Sequence, residues 1–112
     1  MADYQELDFI DTAENMDIIS KPQRRQILAD MLGRSQQYWL ELTGRIYAAE
    51  AIGYLSRTDK GHYNNILAFE RPAHLRDPNY IQRLPDKEVG RMILHLGRIL
   101  QCEKMAAASL QR

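Results

Sequence analysis

The sequence has little of what secreted or membrane-spanning proteins need. It contains one cysteine, Cys102, so no disulfide can form within the chain, which is typical of a reducing compartment. No apolar run approaches the ~18 residues that a transmembrane helix requires. Every early apolar run is interrupted by one of the acidic residues Asp3, Glu6, Asp8 and Asp11. We therefore expect no secretory leader. These features predict a cytoplasmic protein that does not enter a membrane.

Motifs for catalysis and cofactor binding are also scarce. The chain has no Gly-rich phosphate loop, no nucleophile elbow and no His-Glu-x-x-His zinc motif. His95 and Cys102 are seven residues apart, but two ligands do not close a zinc site. Arg57 and His62 have the spacing found in a helical ribonuclease family, in which the histidine acts as a general base and the arginine binds phosphate. Because that match extends to two residues only, we expect a non-enzymatic protein without metal or cofactor.

Charge is balanced overall but unevenly distributed. Residues 1–20 contain six acidic residues and no Lys or Arg, whereas residues 21–112 contain all fifteen Lys and Arg against nine acids. This asymmetry predicts an acidic N-terminal arm at 1–20 and a basic domain at 21–112 that could meet an anion. The arm either competes with that anion or packs against the basic domain, or it is a solvated segment with no role.

The region 22–55 has two interpretations. Ser20 and Gln23 have the spacing of a helix cap, and apolar residues then recur at helical spacing. In the first interpretation one long helix runs unbroken with a heptad seam. In the second, Gly33 adopts a left-handed conformation that ends one helix, and Ser35 caps the next.

The remaining chain predicts a helical fold that ends in a long helix. The apolar run 66–69 is compatible with a strand or a helix, so a small hairpin at 55–69 is one alternative. Three prolines make 72–85 a loop or a set of short turns. Apolar residues at helical spacing over 86–110 predict an amphipathic helix. We expect a small all-α bundle, or an α fold with a small β-hairpin.

The broad apolar face of the 86–110 helix must be covered by the body or by another copy of the chain. Because the rest of the chain is short, we expect a homodimer through this helix. The predicted interface residues are Val89, Met92, Ile93, Leu96, Ile99 and Leu100.

Residues 28–42 combine an apolar helical turn, the small residue Ala29, Gly33 and a new helix start at Ser35. This pattern resembles the helix-turn-helix of repressor proteins, in which a tight bend lets the second helix enter the major groove. Downstream, residues 50–57 and 60–62 look like the end of a recognition helix and the wing of a winged-helix regulator. The resemblance covers residues 21–69.

The resemblance implies a small regulator that binds DNA through the second helix and the wing. Glutamine can contact adenine with two hydrogen bonds, and serine, tyrosine and basic residues can bind phosphate. The implied DNA-binding residues are Ser35, Gln36, Gln37, Tyr38, Arg45, Arg57, Lys60 and His62.

The alternative is a helical protein–protein interaction module, an inhibitor or an adaptor, that does not bind DNA. It would act through the acidic arm or through a helix surface. This alternative predicts an unbroken helix over 22–55.

Overall fold

The structure, a computed structural model, describes residues 19–110. Helices cover most of this range, which contains no strand, so the all-α prediction is confirmed there. The alternative of a small hairpin at 55–69 is wrong, because most of that segment is helical. The acidic arm, apart from its last two residues, lies outside the described range. The elements are α1 (Lys21–Leu32), α2 (Gln36–Ala51), α3 (Arg57–Asn65), a π-helical turn (Ile66–Glu70), α4 (Arg71–Arg76), α5 (Tyr80–Arg83) and α6 (Asp86–Leu110).

The helices α1 and α2 follow one another along α6, in the same direction. At the start of α1, Arg25 Nη2 lies 2.5 Å from Asp86 Oδ1, at the start of α6. Further along, Arg45 Nε of α2 lies 2.6 Å from Glu103 Oε1, near the end of α6. The two short helices therefore form one interrupted rod beside the single long helix.

The helix α3, the π-helical turn and α4 form a second rod that runs in the opposite direction. Asp59, early in α3, accepts a hydrogen bond from Arg98 Nε at 3.1 Å. Three residues later His62 stacks on His95, which lies three residues earlier in α6. The bundle therefore contains three rods, with α5 in the connection between the second and the third.

The core lies between the three rods, and α6 contributes its longest apolar stripe. The helix predicted over 86–110 is confirmed as Asp86–Leu110. However, the six residues predicted to form a dimer interface are at most 7% exposed within a single chain: Val89, Met92, Ile93, Leu96, Ile99 and Leu100. That interface assignment is wrong, because α1, α2 and α3 already cover this face.

A serine immediately precedes each of the helices α1, α2 and α3. The side chains of Ser20, Ser35 and Ser56 accept hydrogen bonds from backbone amides three residues later, which satisfies donors that a helix start leaves unpaired. The two-helix interpretation of 22–55 is therefore confirmed, and the unbroken helix is wrong.

The break after α1 does not use the left-handed glycine that we expected. Gly33 has φ −83°, and a tight turn forms instead as Arg34 N donates to Met31 O at 3.2 Å. Within residues 19–110, the residue with a left-handed conformation is Gly53, with φ +86°, after the end of α2. A glycine is favoured there because this conformation is costly for residues with a Cβ.

Candidate binding site at the helix break

The eight residues predicted to bind DNA lie on different sides of the bundle. Ser35, Gln36 and Gln37 are exposed together at the start of α2. Tyr38 is half-buried and its hydroxyl contacts Met31 Sδ at 3.8 Å, so it belongs partly to the core. Only the first three form a continuous polar surface.

Two of the predicted basic contacts are engaged in ion pairs. Arg45 is bound to Glu103 on the side of α2 that faces α6. Lys60 Nζ lies 3.0 and 3.1 Å from the two carboxylate oxygens of Glu50, and 4.8 Å from the centre of the Tyr47 ring. These ion pairs partly neutralise the charges of Arg45 and Lys60, so each would have to leave its carboxylate before it could bind a DNA phosphate.

The other two predicted residues are also apart from the start of α2. Arg57 is exposed at the first position of α3, where no wing is present because these residues are helical. His62 faces α6, where its ring stacks on His95 with 3.8 Å between ring centres. The structure therefore does not bring the eight residues together on one surface.

A residue that sequence reasoning missed, Arg71, joins the second rod to the break in the first rod. Its side chain is 8% exposed and enters the break between α1 and α2. Arg71 Nη2 donates to Arg34 O at 2.8 Å, and Nη1 donates to Gln36 Oε1 at 3.1 Å. The guanidinium carbon also lies 5.6 Å from the centre of the Trp39 ring. Arg71 thus fills the space that the helix break opens.

The π-helical turn places neighbouring residues on opposite sides of the second rod. Glu70 faces α6 and accepts a hydrogen bond from the Tyr80 hydroxyl. Together, burial and this bond raise the pKa of Tyr80 to about 12. The next residue, Arg71, faces the first rod. π-Helical turns frequently occur at functional sites, since they redirect side chains within a continuous helix.

The break has an unusual concentration of buried nitrogen atoms. Arg71 Nε, Trp39 Nε1 and His74 Nδ1 are buried without a hydrogen-bond partner among the described residues. Among the described residues, the hydrogen-bond acceptors of Arg71 are a backbone carbonyl and a side-chain amide, and neither carries the negative charge that usually accompanies a buried cation. The aromatic ring of Trp39 compensates part of this cost.

A second polar feature is a cleft of about 90 Å³ between α3, the π-helical turn and α6. The stacked His62 and His95 line it, together with Glu70 and Arg91. Burial lowers the pKa of His95, and the charges of His62 and Arg91 act in the same direction. Within the described range, no group of three or more His, Cys, Asp or Glu residues is arranged to hold a metal ion.

An apolar surface lies at the opposite end from the start of α6. Two apolar residues after α2 and two on the last turns of α6 are exposed there, and so is Tyr47 in the last two turns of α2. Grooves of about 260 and 230 Å³ flank the last turns of α6. We define the apolar end as Tyr47, Ile52, Tyr54, Met105 and Leu110.

Comparisons with known proteins give no relative. No family model matches the chain, and neither the curated proteins nor the solved structures contain a match. Across residues 19–110, no helix has the length and apolar character needed to cross a membrane.

Proposed function

We propose that this chain is a non-enzymatic helical interaction module that docks through its apolar end. The observation that carries the proposal is the clustering of exposed apolar side chains. Five of the eight large apolar residues that are exposed in the described range belong to the apolar end, and Leu110 is 66% exposed. Groups of exposed apolar residues at one end of a molecule mark protein interaction sites, whereas single exposed residues scattered over a surface need no explanation.

The occupant that this surface fits is a second copy of the chain. One groove is lined by alanines of α2 and α6, by the Arg45–Glu103 ion pair and by Leu110, and the other is lined by Tyr54 and by the last turns of α6, including Met105. Projecting side chains and grooves therefore occur side by side, as a two-fold symmetric interface requires. The proposal retains the expected homodimer but places it on different residues.

The electrostatics also favour pairing at this end. Residues 36–65 and 96–110 contain five Lys and Arg against four acids, so their net charge is close to zero. Two copies can therefore approach through this half without strong repulsion. The other half carries more net positive charge and would repel its copy.

The test compares two pairs of apolar residues with matched exposure. Met105→Glu with Leu110→Glu introduces charge at the apolar end, whereas Phe69→Glu with Leu75→Glu introduces it elsewhere at similar exposure. Light scattering across a concentration series should show a dimer for the natural chain and the control, and a monomer for the first variant. A natural chain that stays monomeric at high concentration contradicts the proposal.

DNA binding is a second candidate, favoured by the charge of the opposite half. Residues 19–35 and 66–95 contain nine Lys and Arg against five acids. In this case the contact would be the start of α2, without Arg45 and Lys60. A labelled random duplex should then bind at low salt and dissociate as salt rises. Protein binding releases cations from the DNA phosphates, and this release becomes less favourable at high salt. Absence of binding at low salt would discard this candidate.

A further inference from the structure

We infer that the break between α1 and α2 binds a phosphate-type oxyanion. The site comprises the first amides of α2 and the Arg34 guanidinium, with Arg71 behind them. This inference is independent of the proposed interaction at the apolar end, which lies on the other half of the bundle.

The start of α2 supplies hydrogen-bond donors. Ser35 Oγ accepts from Tyr38 N at 3.1 Å and thereby caps one amide. The amides of Gln36 and Gln37 occupy the first two helical positions, where no intrahelical acceptor exists, and both residues are exposed. A helix of 16 residues also carries a partial positive charge at this end. Such helix starts commonly bind phosphate.

Arg71 provides the second, independent feature. It is more than nine-tenths buried, points at the same break and has an Nε without a partner among the described residues. The hydrogen bond to Gln36 Oε1 directs the side chain towards the first residue of α2. A buried positive charge, without an anionic partner in residues 19–110, therefore lies directly behind the exposed amides, where an oxyanion would compensate it.

The surrounding side chains favour a tetrahedral oxyanion. Arg34 is half-buried, with its guanidinium carbon 4.8 Å from the centre of the Tyr38 ring. It precedes α2 directly, so it can approach a ligand from the side while the amides approach along the helix axis. Phosphate has acceptor oxygens in both directions, whereas a planar carboxylate has them in one plane. One carboxylate, Glu41, lies a turn further into α2 and is bonded to Gln37 Nε2.

The position of the only tryptophan makes the site measurable. Trp39 lies beside Arg71, so its fluorescence should report a ligand at the break. The full chain is titrated with inorganic phosphate and, separately, with phosphoserine, at constant ionic strength set by sodium chloride. We expect a saturable change in fluorescence, and shifts in the amide NMR signals of Gln36 and Gln37. The two titrations distinguish the free ion from a phosphate monoester.

Substitutions identify the binding groups. Arg34→Gln should weaken phosphate binding about tenfold, as expected for the loss of one hydrogen bond to a charged group. Arg57→Gln removes an exposed arginine from the start of another helix and should leave the affinity unchanged. Arg71→Gln removes the buried charge behind the amides and should also weaken phosphate binding. If that variant fails to fold, Arg71→Lys replaces it in the test: it keeps the charge and should still bind phosphate.

The inference is overturned if sodium chloride alone produces the same response, or if Arg34→Gln and Arg57→Gln bind phosphate equally. It is also overturned if a DNA duplex binds at the break while phosphate neither binds nor competes. That result would assign the surface to nucleic acid. Loss of the dimer in the light-scattering experiment would leave the phosphate titration unaffected, so the two proposals fail separately.

Discussion

The two halves of the bundle, which meet near the helix break and the π-helical turn, differ in charge and in apolar exposure. The basal half, residues 19–35 and 66–95, has a net positive charge and two exposed large apolar side chains, Phe69 and Leu75. The apical half, residues 36–65 and 96–110, is nearly neutral and has the other six. We therefore propose anion binding near one half and docking of an apolar partner on the other, while α2 begins at the boundary and extends through the apical half.

The largest expected effect tests whether the two halves fold as one unit. Leu28 in the basal half and Leu42 in the apical half are both fully buried. Leu28→Ala and Leu42→Ala should each cost about 2–5 kcal/mol, because each leaves a cavity in the shared core. Urea unfolding, followed by Trp39 fluorescence and by circular dichroism, measures this cost. Coincident transitions in both variants would show that the break does not divide the fold.

An exposed leucine of the same helix provides the control for that experiment. Leu40 is 59% exposed on α2, so Leu40→Ala should change stability by less than about 0.5 kcal/mol. A cost similar to that of Leu42→Ala would show that the assignment of the buried face of α2 is wrong. Separate fluorescence and circular dichroism transitions would show that the two halves unfold independently.

The parts of the fold that the sequence predicted depend on local signals. Serines at helix starts and apolar residues at helical spacing identified α1, α2 and α6, because caps and amphipathic stripes involve residues three or four apart. The predicted left-handed conformation of Gly33 was wrong, since a glycine after a helix also fits a turn without positive φ. The prediction that a second copy covers the apolar face of α6 was also wrong, because an apolar stripe does not specify whether its own chain or another copy covers it.

The candidate site depends on contacts between residues far apart in the chain. Arg71 bonds to residues 35 and 37 positions earlier, and nothing in the local sequence around it indicates that it is buried. The π-helical turn that directs it has no recognisable sequence pattern, and the apolar run 66–69 was equally compatible with a strand. Similarly, Arg45 could not be assigned to an ion pair, because its partner Glu103 belongs to a different rod.

A smaller effect should distinguish the open apical surface from the tight break. An added Cβ at Gly44 would meet no atom within 4 Å, whereas one at Gly33 would lie 3.2 Å from Ala29 O. Gly44→Ala should therefore stabilise the protein by about 1 kcal/mol, through helix propensity. Gly33→Ala should give no gain, because the backbone of α1 must move. Urea midpoints measure both, and an equal gain at Gly33 would show that the break is looser than described.

The smallest expected effect concerns pH and the histidine cleft at the boundary of the two halves. The folded-state pKa of His95 is lowered by burial, by His62 and by Arg91, and Asp59 opposes this shift. As the pH falls below about 6.5, the usual histidine pKa, the imidazole of His95 therefore takes up a proton more readily in the unfolded chain than in the folded chain. The stability contributed by neutral His95 is complete above this value, and is lost as pH falls towards the folded-state pKa.

The measurement compares urea midpoints at pH 7.5 and 5.5 in a buffer without phosphate. Asp59 does not contribute to this difference in stability. Burial acts to raise its pKa, but hydrogen bonds from Arg98 and Ser56 lower the pKa overall, so the carboxylate stays ionised at pH 7.5 and at pH 5.5. The natural chain should lose the most stability at pH 5.5, His62→Gln less and His95→Gln least, since His62 contributes only part of the shift. If the loss of stability is unchanged in His95→Gln, the pH dependence arises elsewhere, and the cleft does not couple protonation to packing between α3 and α6.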